Sequence, residues 1–523
     1  MKTGAAPLGT AASPGEAGSM PINRRRSTLL AAPLVAAAAL ASTLVAAPGA
    51  GAAAPGAGAA APAPASSLDW TACAPDVTQD PRLRCAEVAV PLDYDRPRGE
   101  QITLTVSRLR SERPESRRGV LLMIPGGPGG SSLDGPVKRG AKLPQSVRDA
   151  YDVVGFAPRG LTHSTPVSCE LPTASLTPVA LRPWPAADGS IERNVAFGRS
   201  LADSCARNGD KVLRSISTRT EARDIDRIRQ ALGERKLSAW GVSYGTYAGA
   251  VYAQLFPHRT DRWVLDSSGD PDPKRVGRGW LANYSRGVED AFPDFAHWAA
   301  QPGEFRLAET PEEVRPLFLK LAAQLDREPI PWKNATPAEL NGDVLRTTLL
   351  DGLYTRDRFP RIAQLMLAAQ GKAELPAAAP LPVDVLQSTT AVSAATLCND
   401  VSWPRSLSRY QRDVAADRER YPLTAGMPVN VMTCAFWDAP QQRPVRVTDE
   451  GPSNVLMIQN LRDPSTPHAG GLRMRRALGD RARLVTVDAV GHGSYVNTGN
   501  ACGDRTVTDY LVNGERPAHD TVC

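Results

Sequence analysis

No two cysteines in this chain stand closer than twelve positions, so the C-x-x-C spacing of zinc ribbons and dithiol redox sites is missing. Neither G-x-x-x-x-G-K-[ST] nor G-x-G-x-x-G occurs, which removes the two common fingerprints for phosphate and dinucleotide binding. There is no basic run interleaved with aromatics. The formal charge is +6, and half of it comes from the first 26 residues, where Lys2, Arg24, Arg25 and Arg26 outweigh Glu16. The remainder is too weakly basic to argue for a nucleic-acid partner. No internal repeat is visible, and no residue set calls for a metal or an organic cofactor.

What is present begins with an export layout. Arg24, Arg25 and Arg26 precede an apolar Ala/Leu/Val run over 29–47, followed by Ala/Gly/Pro sequence with several Ala-x-Ala sites. Residues 1–65 therefore read as a signal peptide with a linker or propeptide. A membrane anchor is the rival reading, but Pro33 interrupts the run and no charged stop-transfer flank follows it, so no stable anchor is expected and the protein is expected outside the cell. All eight cysteines lie beyond this segment, and an exported chain uses an even set as disulfides. The expected pairing is sequential, Cys73 with Cys85, Cys169 with Cys205, Cys398 with Cys434 and Cys502 with Cys523, because each pair brackets one local segment.

Short Val/Ile/Leu-rich runs bounded by Gly or Pro predict strands over 84–91, 101–109, 119–124, 151–156, 237–242 and 262–266. Apolar residues at helical spacing predict helices over 220–232, opened by Thr220, and over 244–256. Such alternation implies an α/β class with a mainly parallel sheet and helices on both faces. It stops near residue 270, and strand signals return only at 454–459 and 483–487. The expected organisation is a first core part over 66–270, a mostly helical cap insertion over 271–450 and a C-terminal core part over 451–523.

The chemistry concentrates at Ala-Trp-Gly-Val-Ser-Tyr-Gly-Thr, 239–246. Here G-x-S-x-G sits between a predicted strand and a predicted helix, the setting in which a strained turn exposes a serine as nucleophile. Ser243 is the expected attacking group. A serine hydroxyl needs a base oriented by a carboxylate, and in this strand–turn–helix context the chain order is serine, acid, histidine. Of six histidines, His492 in Ala-Val-Gly-His-Gly follows the last predicted strand and is the expected base. Asp463, just after the strand at 454–459, is the expected acid, with Asp488 and Asp266 as alternatives. The glycine run Ile-Pro-Gly-Gly-Pro-Gly-Gly-Ser, ending the strand at 119–124, is expected to supply an oxyanion N–H from Gly127, complementing that of Tyr244.

At these residues the sequence resembles α/β-hydrolase peptidases of the proline iminopeptidase kind, and within them the secreted tripeptidyl aminopeptidase group of actinomycetes with its TAP-like C-terminal segment. Gly-Gly-Pro-Gly-Gly-Ser at 126–131, Gly-Val-Ser-Tyr-Gly-Thr-Tyr at 241–247, Asp463 with Thr466-Pro467 and the late Gly-His-Gly carry the likeness, which spans residue 68 to the end. Ala157 stands where the group tends to have an aspartate. The resemblance implies an α/β-hydrolase fold and release of short peptides, often tripeptides, from free N-termini of peptides or proteins. A bound ammonium calls for a cap carboxylate, for which Glu289, Asp290 and Asp400 are candidates.

Two other functions share these residues. An esterase or lipase would use the same triad, and a non-catalytic extracellular binding module would keep the fold without needing it.

Overall fold

The computed structural model describes residues 68–523 apart from 178, 180, 379–381 and 441. The expected signal and linker, 1–65, lie outside the described residues. Strands β1 (Thr71–Ala72), β2 (Arg84–Pro91) and β3 (Gln101–Leu109) form an antiparallel flank that joins β5 (Tyr151–Phe156), also antiparallel. From β5 onward the sheet is parallel, running through β4 (Gly119–Ile124), β6 (Leu237–Val242), β7 (Thr260–Asp266), β10 (Val455–Arg462), β11 (Ala482–Val490) and β12 (Thr521–Val522). The order β1-β2-β3-β5-β4-β6-β7-β10-β11-β12 makes β4 and β6 neighbours, so the glycine run and the G-x-S-x-G turn leave the same sheet edge side by side.

β4, β5 and β6 are buried along their whole length, which suits their largely apolar sequences, since a strand covered on both faces has no solvated side; the two polar exceptions are bonded, Asp152 accepting the Ser111 N–H and Ser238 donating to Asp261. After β4 come the short helices α1 (Gly135–Lys138) and α2 (Gln145–Ala150); after β5 come α3 (Glu192–Asn208), α4 (Lys211–Ser215) and α5 (Thr218–Ala231). Helix α5 starts a little earlier than its apolar spacing predicts because Ser217, not Thr220, caps it, accepting the Thr220 N–H. Helix α6 (Tyr244–Leu255) follows β6 directly. On one face of the sheet Val120, Leu122 and Ile124 pack in a core with Ile225, Ile228 and Tyr252 of α5 and α6. On the other, Leu121 and Met123 share a core with Val147 of α2 and with Val507 and Leu511 of α14 (Ala501–Asn513).

Between β7 and β10 the sheet is interrupted. The intervening chain carries α7 (Arg278–Ala299), α8 (Pro311–Leu325), a hairpin of β8 (Ile330–Pro331) and β9 (Glu339–Leu340), then α9 (Gly342–Gly352), α10 (Phe359–Ala369), α11 (Val383–Asp400) and α12 (Leu407–Arg420). Thr310 and Glu313 close a reciprocal capping box at the start of α8, and Asn341 caps α9. These helices have a core of their own, in which Phe292, Phe295, Phe318, Leu349 and Phe359 surround one another. Trp184, from the stretch between β5 and α3, is buried in that core and donates to Thr347 Oγ1 at 2.9 Å. The cap is therefore assembled from two separate parts of the chain. Helix α13 (His468–Leu478) lies between β10 and β11. The four disulfides join the cysteines in chain order, 73–85, 169–205, 398–434 and 502–523.

Candidate active site

Ser243 sits at the junction of β6 and α6 with φ 60° and ψ −126°, a conformation that a side-chain-bearing residue adopts only when its surroundings impose it. Those surroundings are glycine. A Cβ on Gly245 would lie 2.3 Å from the Ile124 carbonyl oxygen, and one on Gly241 2.4 Å from that of Gly245. The turn is fastened by the Ser243 N–H donating to the Asp266 carbonyl at 3.1 Å and by the Thr246 hydroxyl donating to the Ser243 carbonyl at 2.6 Å. The glycine run lies directly above it, since a Cβ on Gly126 would be 3.2 Å from Ser243 Cβ and 3.7 Å from Oγ. The N–H of Tyr244, first in α6, is one of the helix's N-terminal donors that have no intrahelical acceptor.

His492 arrives on the loop after β11. Its Nδ1 lies 3.0 Å from both Oδ1 and Oδ2 of Asp463, and both side chains are almost wholly buried. Asp463 keeps its carboxylate in place by accepting the Ser465 and Thr466 N–H groups on Oδ1 at 2.9 and 2.8 Å and the Thr466 hydroxyl on Oδ2 at 3.0 Å. The histidine loop hangs on the ends of β7 and β10: Asp266 accepts the Ser494 and Tyr495 N–H groups, Ser267 Oγ accepts that of Gly493, and Asn460 donates to the Gly491 and Gly493 carbonyls. Asp266 thus anchors both the Ser243 turn and the His492 loop through backbone bonds, and burial pushes its carboxyl up to about 6. Neither alternative acid touches the imidazole through a hydrogen bond; Asp488 is largely exposed and paired with Arg462 at 2.6 Å.

Two cap residues that no local motif announces reach this centre. Tyr354, after α9, accepts the His492 N–H on its carbonyl at 2.9 Å, packs its ring edge-on to the imidazole at 4.7 Å, and donates its hydroxyl to Ser465 at 3.0 Å. Ser393 of α11 donates to the Pro128 carbonyl of the glycine run at 2.6 Å. Their signal is purely tertiary.

A cavity of about 440 Å³ opens on Ser243, with Gly127, Tyr244 and Thr466 at its base and Thr389, Ser393 and Leu397 of α11 as part of its roof. Cys434, also in its lining, is clamped to α11 through Cys398. The three carboxylates expected to meet a substrate ammonium are elsewhere. Glu289 is bound to Arg315 and the Leu423 N–H, and Asp290 is a surface partner of Arg286 at 3.3 Å. Asp400 accepts the N–H and hydroxyl of Thr218, at 2.8 and 2.5 Å, joining the end of α11 to the start of α5. None of the three is in the cavity lining, and each has a cationic or hydrogen-bonding partner within the fold. Among the described residues no carboxylate lines the cavity, and Arg182 is its one charged side chain.

A buried network lies behind Tyr244. Its hydroxyl donates to Glu221 Oε2 at 2.7 Å and stands 2.9 Å from Thr218 Oγ1, which in turn reaches Asp400. Burial pushes the Glu221 carboxyl up to about 8, and Asp400 up to about 6.

Residues 421–523 match the family model described as TAP-like protein. The chain is 33% identical to the tripeptidyl aminopeptidase of Streptomyces lividans over 88% of this chain and 87% of that protein. It is 30% identical to carboxylesterase B of Mycobacterium tuberculosis, covering 88% and 90%, and 27% identical to serine protease Hip1 of the same organism, covering 87% and 91%. With a mostly parallel sheet, an insertion ahead of its last strands and these relatives, the chain belongs to the tripeptidyl aminopeptidase family of α/β-hydrolase serine peptidases.

Proposed function

We propose that this protein is a secreted serine exopeptidase that releases short peptides, tripeptides by preference, from the free N-termini of peptides and proteins. The observation that carries the reading is the roofed cavity over Ser243, beside a buried His492–Asp463 pair. Ser243 Oγ attacks the scissile carbonyl carbon while its proton passes to His492 Nε2, and Asp463 stabilises the imidazolium through Nδ1. The oxyanion is held by the N–H groups of Gly127 and Tyr244. Collapse breaks the C–N bond, His492 protonates the departing amine, and water repeats the sequence on the acyl-enzyme, returning the proton to Ser243 as the short peptide leaves.

A roof over the nucleophile admits a chain end more readily than a mid-chain loop. In the absence of a lining carboxylate, the aromatic rings of Tyr244, Tyr247, Trp280 and Tyr284 are cation-attracting surfaces available to a substrate ammonium. Such contacts are worth about 1–2 kcal/mol when desolvated, so N-acetylation of a tripeptidyl arylamide should lower kcat/KM about tenfold. Export fits the disulfides, and among the described residues no helix is long and apolar enough to cross a membrane.

The carboxylesterase relative and the carboxylate-free cavity favour one second reading, an esterase on the same triad. A panel of aminoacyl, dipeptidyl and tripeptidyl arylamides, free and N-acetylated, beside simple aryl esters separates the two. Cleavage of esters with no arylamide turnover, or equal cleavage of free and acetylated peptides, would discard the aminopeptidase reading.

A further inference from the structure

The stretch between β5 and α3 does more than add Trp184 to the cap core. Arg182 lines the cavity over Ser243, where every other lining side chain is neutral. Its Nη2 donates to Asp351 Oδ1 at 2.5 Å, while Nη1 is buried without an acceptor. Thr390 and Thr433, also in the lining, likewise have buried hydroxyls without partners. Arg182, Leu181, Leu201, Met432 and Thr433 are shared with a second, mostly apolar cavity of about 240 Å³, so the guanidinium stands at the partition between the two spaces.

The Arg182 side chain as a whole is only part-buried, 27% exposed, and a cationic donor beside a cavity gains a charge-assisted hydrogen bond when a ligand brings an oxygen to its accessible side. An ammonium cannot do this. A peptide can, because its acyl side carries a main-chain carbonyl at every residue upstream of the scissile bond; an alkyl acyl chain has none. We infer that Arg182 is a substrate-binding residue that takes an upstream main-chain carbonyl of the acyl-side peptide, an assignment that rests on the peptidase reading above. The same donor makes the cavity selective by length, since a single aminoacyl group has no upstream peptide carbonyl to offer. Asp351 restrains the guanidinium by accepting from Nη2.

The test is Arg182→Met and Arg182→Lys, each titrated with a fluorophosphonate so that rates refer to competent Ser243, and assayed on a free tripeptidyl arylamide, the matching aminoacyl arylamide and phenyl acetate. Arg182→Met should raise KM for the tripeptide about tenfold or more, the loss expected for a charged hydrogen bond, with a loss on the aminoacyl amide and phenyl acetate smaller by that factor. Arg182→Lys, which keeps the charge but not the planar fork, should recover part of the tripeptide affinity. An unchanged tripeptide KM, or equal losses on all three substrates, overturns the assignment. If the wild-type protein hydrolyses phenyl acetate but no peptide, it is the peptidase reading itself that has failed, and the wild-type rates alone reveal this.

Discussion

Gly129 lies where the glycine run meets the cap, and replacing it by alanine should disable the enzyme without unfolding it. Its φ is +87°, and the added Cβ would stand 2.5 Å from Ser393 Oγ and 2.7 Å from the Thr389 carbonyl oxygen. The first contact can be relieved by turning a hydroxyl. The second is backbone on α11 and can be relieved only by moving the helix or the loop. A non-glycine residue in this left-handed region costs about 1–2 kcal/mol, and losing the Ser393 bond to Pro128 adds about 1 kcal/mol. These two terms, about 2–3 kcal/mol before the backbone contact is counted, are within what a protein of this size tolerates, but the strain falls on the segment that carries the Gly127 N–H. Withdrawing one oxyanion donor lowers turnover about 100-fold or more, so Gly129→Ala should lose about that factor in kcat with KM little changed. Ser393→Ala removes the hydrogen bond without the clash and should lose only about fivefold to tenfold, since one neutral bond is worth about 1 kcal/mol. The double variant should be no worse than Gly129→Ala, because the backbone contact dominates and the two changes share one loop. Steady-state rates on a tripeptidyl arylamide, fluorophosphonate labelling rates and a thermal melt decide the matter. Wild-type kcat in Gly129→Ala would mean that the loop does not depend on α11 and that the oxyanion assignment is misplaced.

Ser243→Ala and His492→Ala should each abolish nearly all turnover while folding normally, and the pair should be no slower than either alone; multiplying losses would show that they do not act as a unit. Asp463→Asn should lower kcat about ten-thousand-fold with little effect on the melt, whereas Asp266→Asn should chiefly lower Tm, because Asp266 holds backbone N–H groups of the histidine loop. Glu221 predicts a pH dependence. Its folded carboxyl sits at about 8 against an ordinary 4.5, so the folded state keeps a proton that the unfolded state releases, and its contribution to stability declines as pH rises between those values. Tm should therefore fall from about pH 6 to about pH 8 in the wild type, and Glu221→Gln, neutral throughout, should flatten that fall; an identical slope in both would refute the buried, protonated assignment.

The sheet was readable wherever burial is local. The predicted strands at 84–91, 101–109, 119–124, 151–156 and 237–242 coincide with β2 to β6, because β2 and β3 alternate buried and more exposed residues and β4 to β6 are short, mainly apolar buried runs. β10 runs on to Arg462, past the apolar signal, because polar residues at its end work on loops: Asn460 holds the histidine loop, and Arg462 binds Asp294 and Asp488; β11 runs on to Val490, its apolar signal broken by Asp488. Ser243, His492 and Asp463 each follow a strand, so their neighbourhood could be anticipated from the chain order of one sheet edge. Arg182, Tyr354 and Ser393 come from segments whose sequence patterns speak only of helix faces and turns. What brings them to the cavity or to the His492 loop is the docking of the cap, and no spacing rule encodes that. That Glu289, Asp290 and Asp400 lie outside the cavity lining was illegible for the same reason, since a carboxylate's partner is invisible until distant segments meet.

The cap's grip on the catalytic loops bears on how this family can diversify. Tyr354 carries the main-chain carbonyl that receives the His492 N–H, and Ser393 holds the carbonyl of Pro128. A cap exchanged between relatives as a free module would leave both loops without these partners, so a chimera must import its own equivalents of the two contacts or lose turnover along with the old specificity. Selection on substrate length and selection on rate then act on the same helices, and changes that widen the roof are expected to appear together with compensating changes under it.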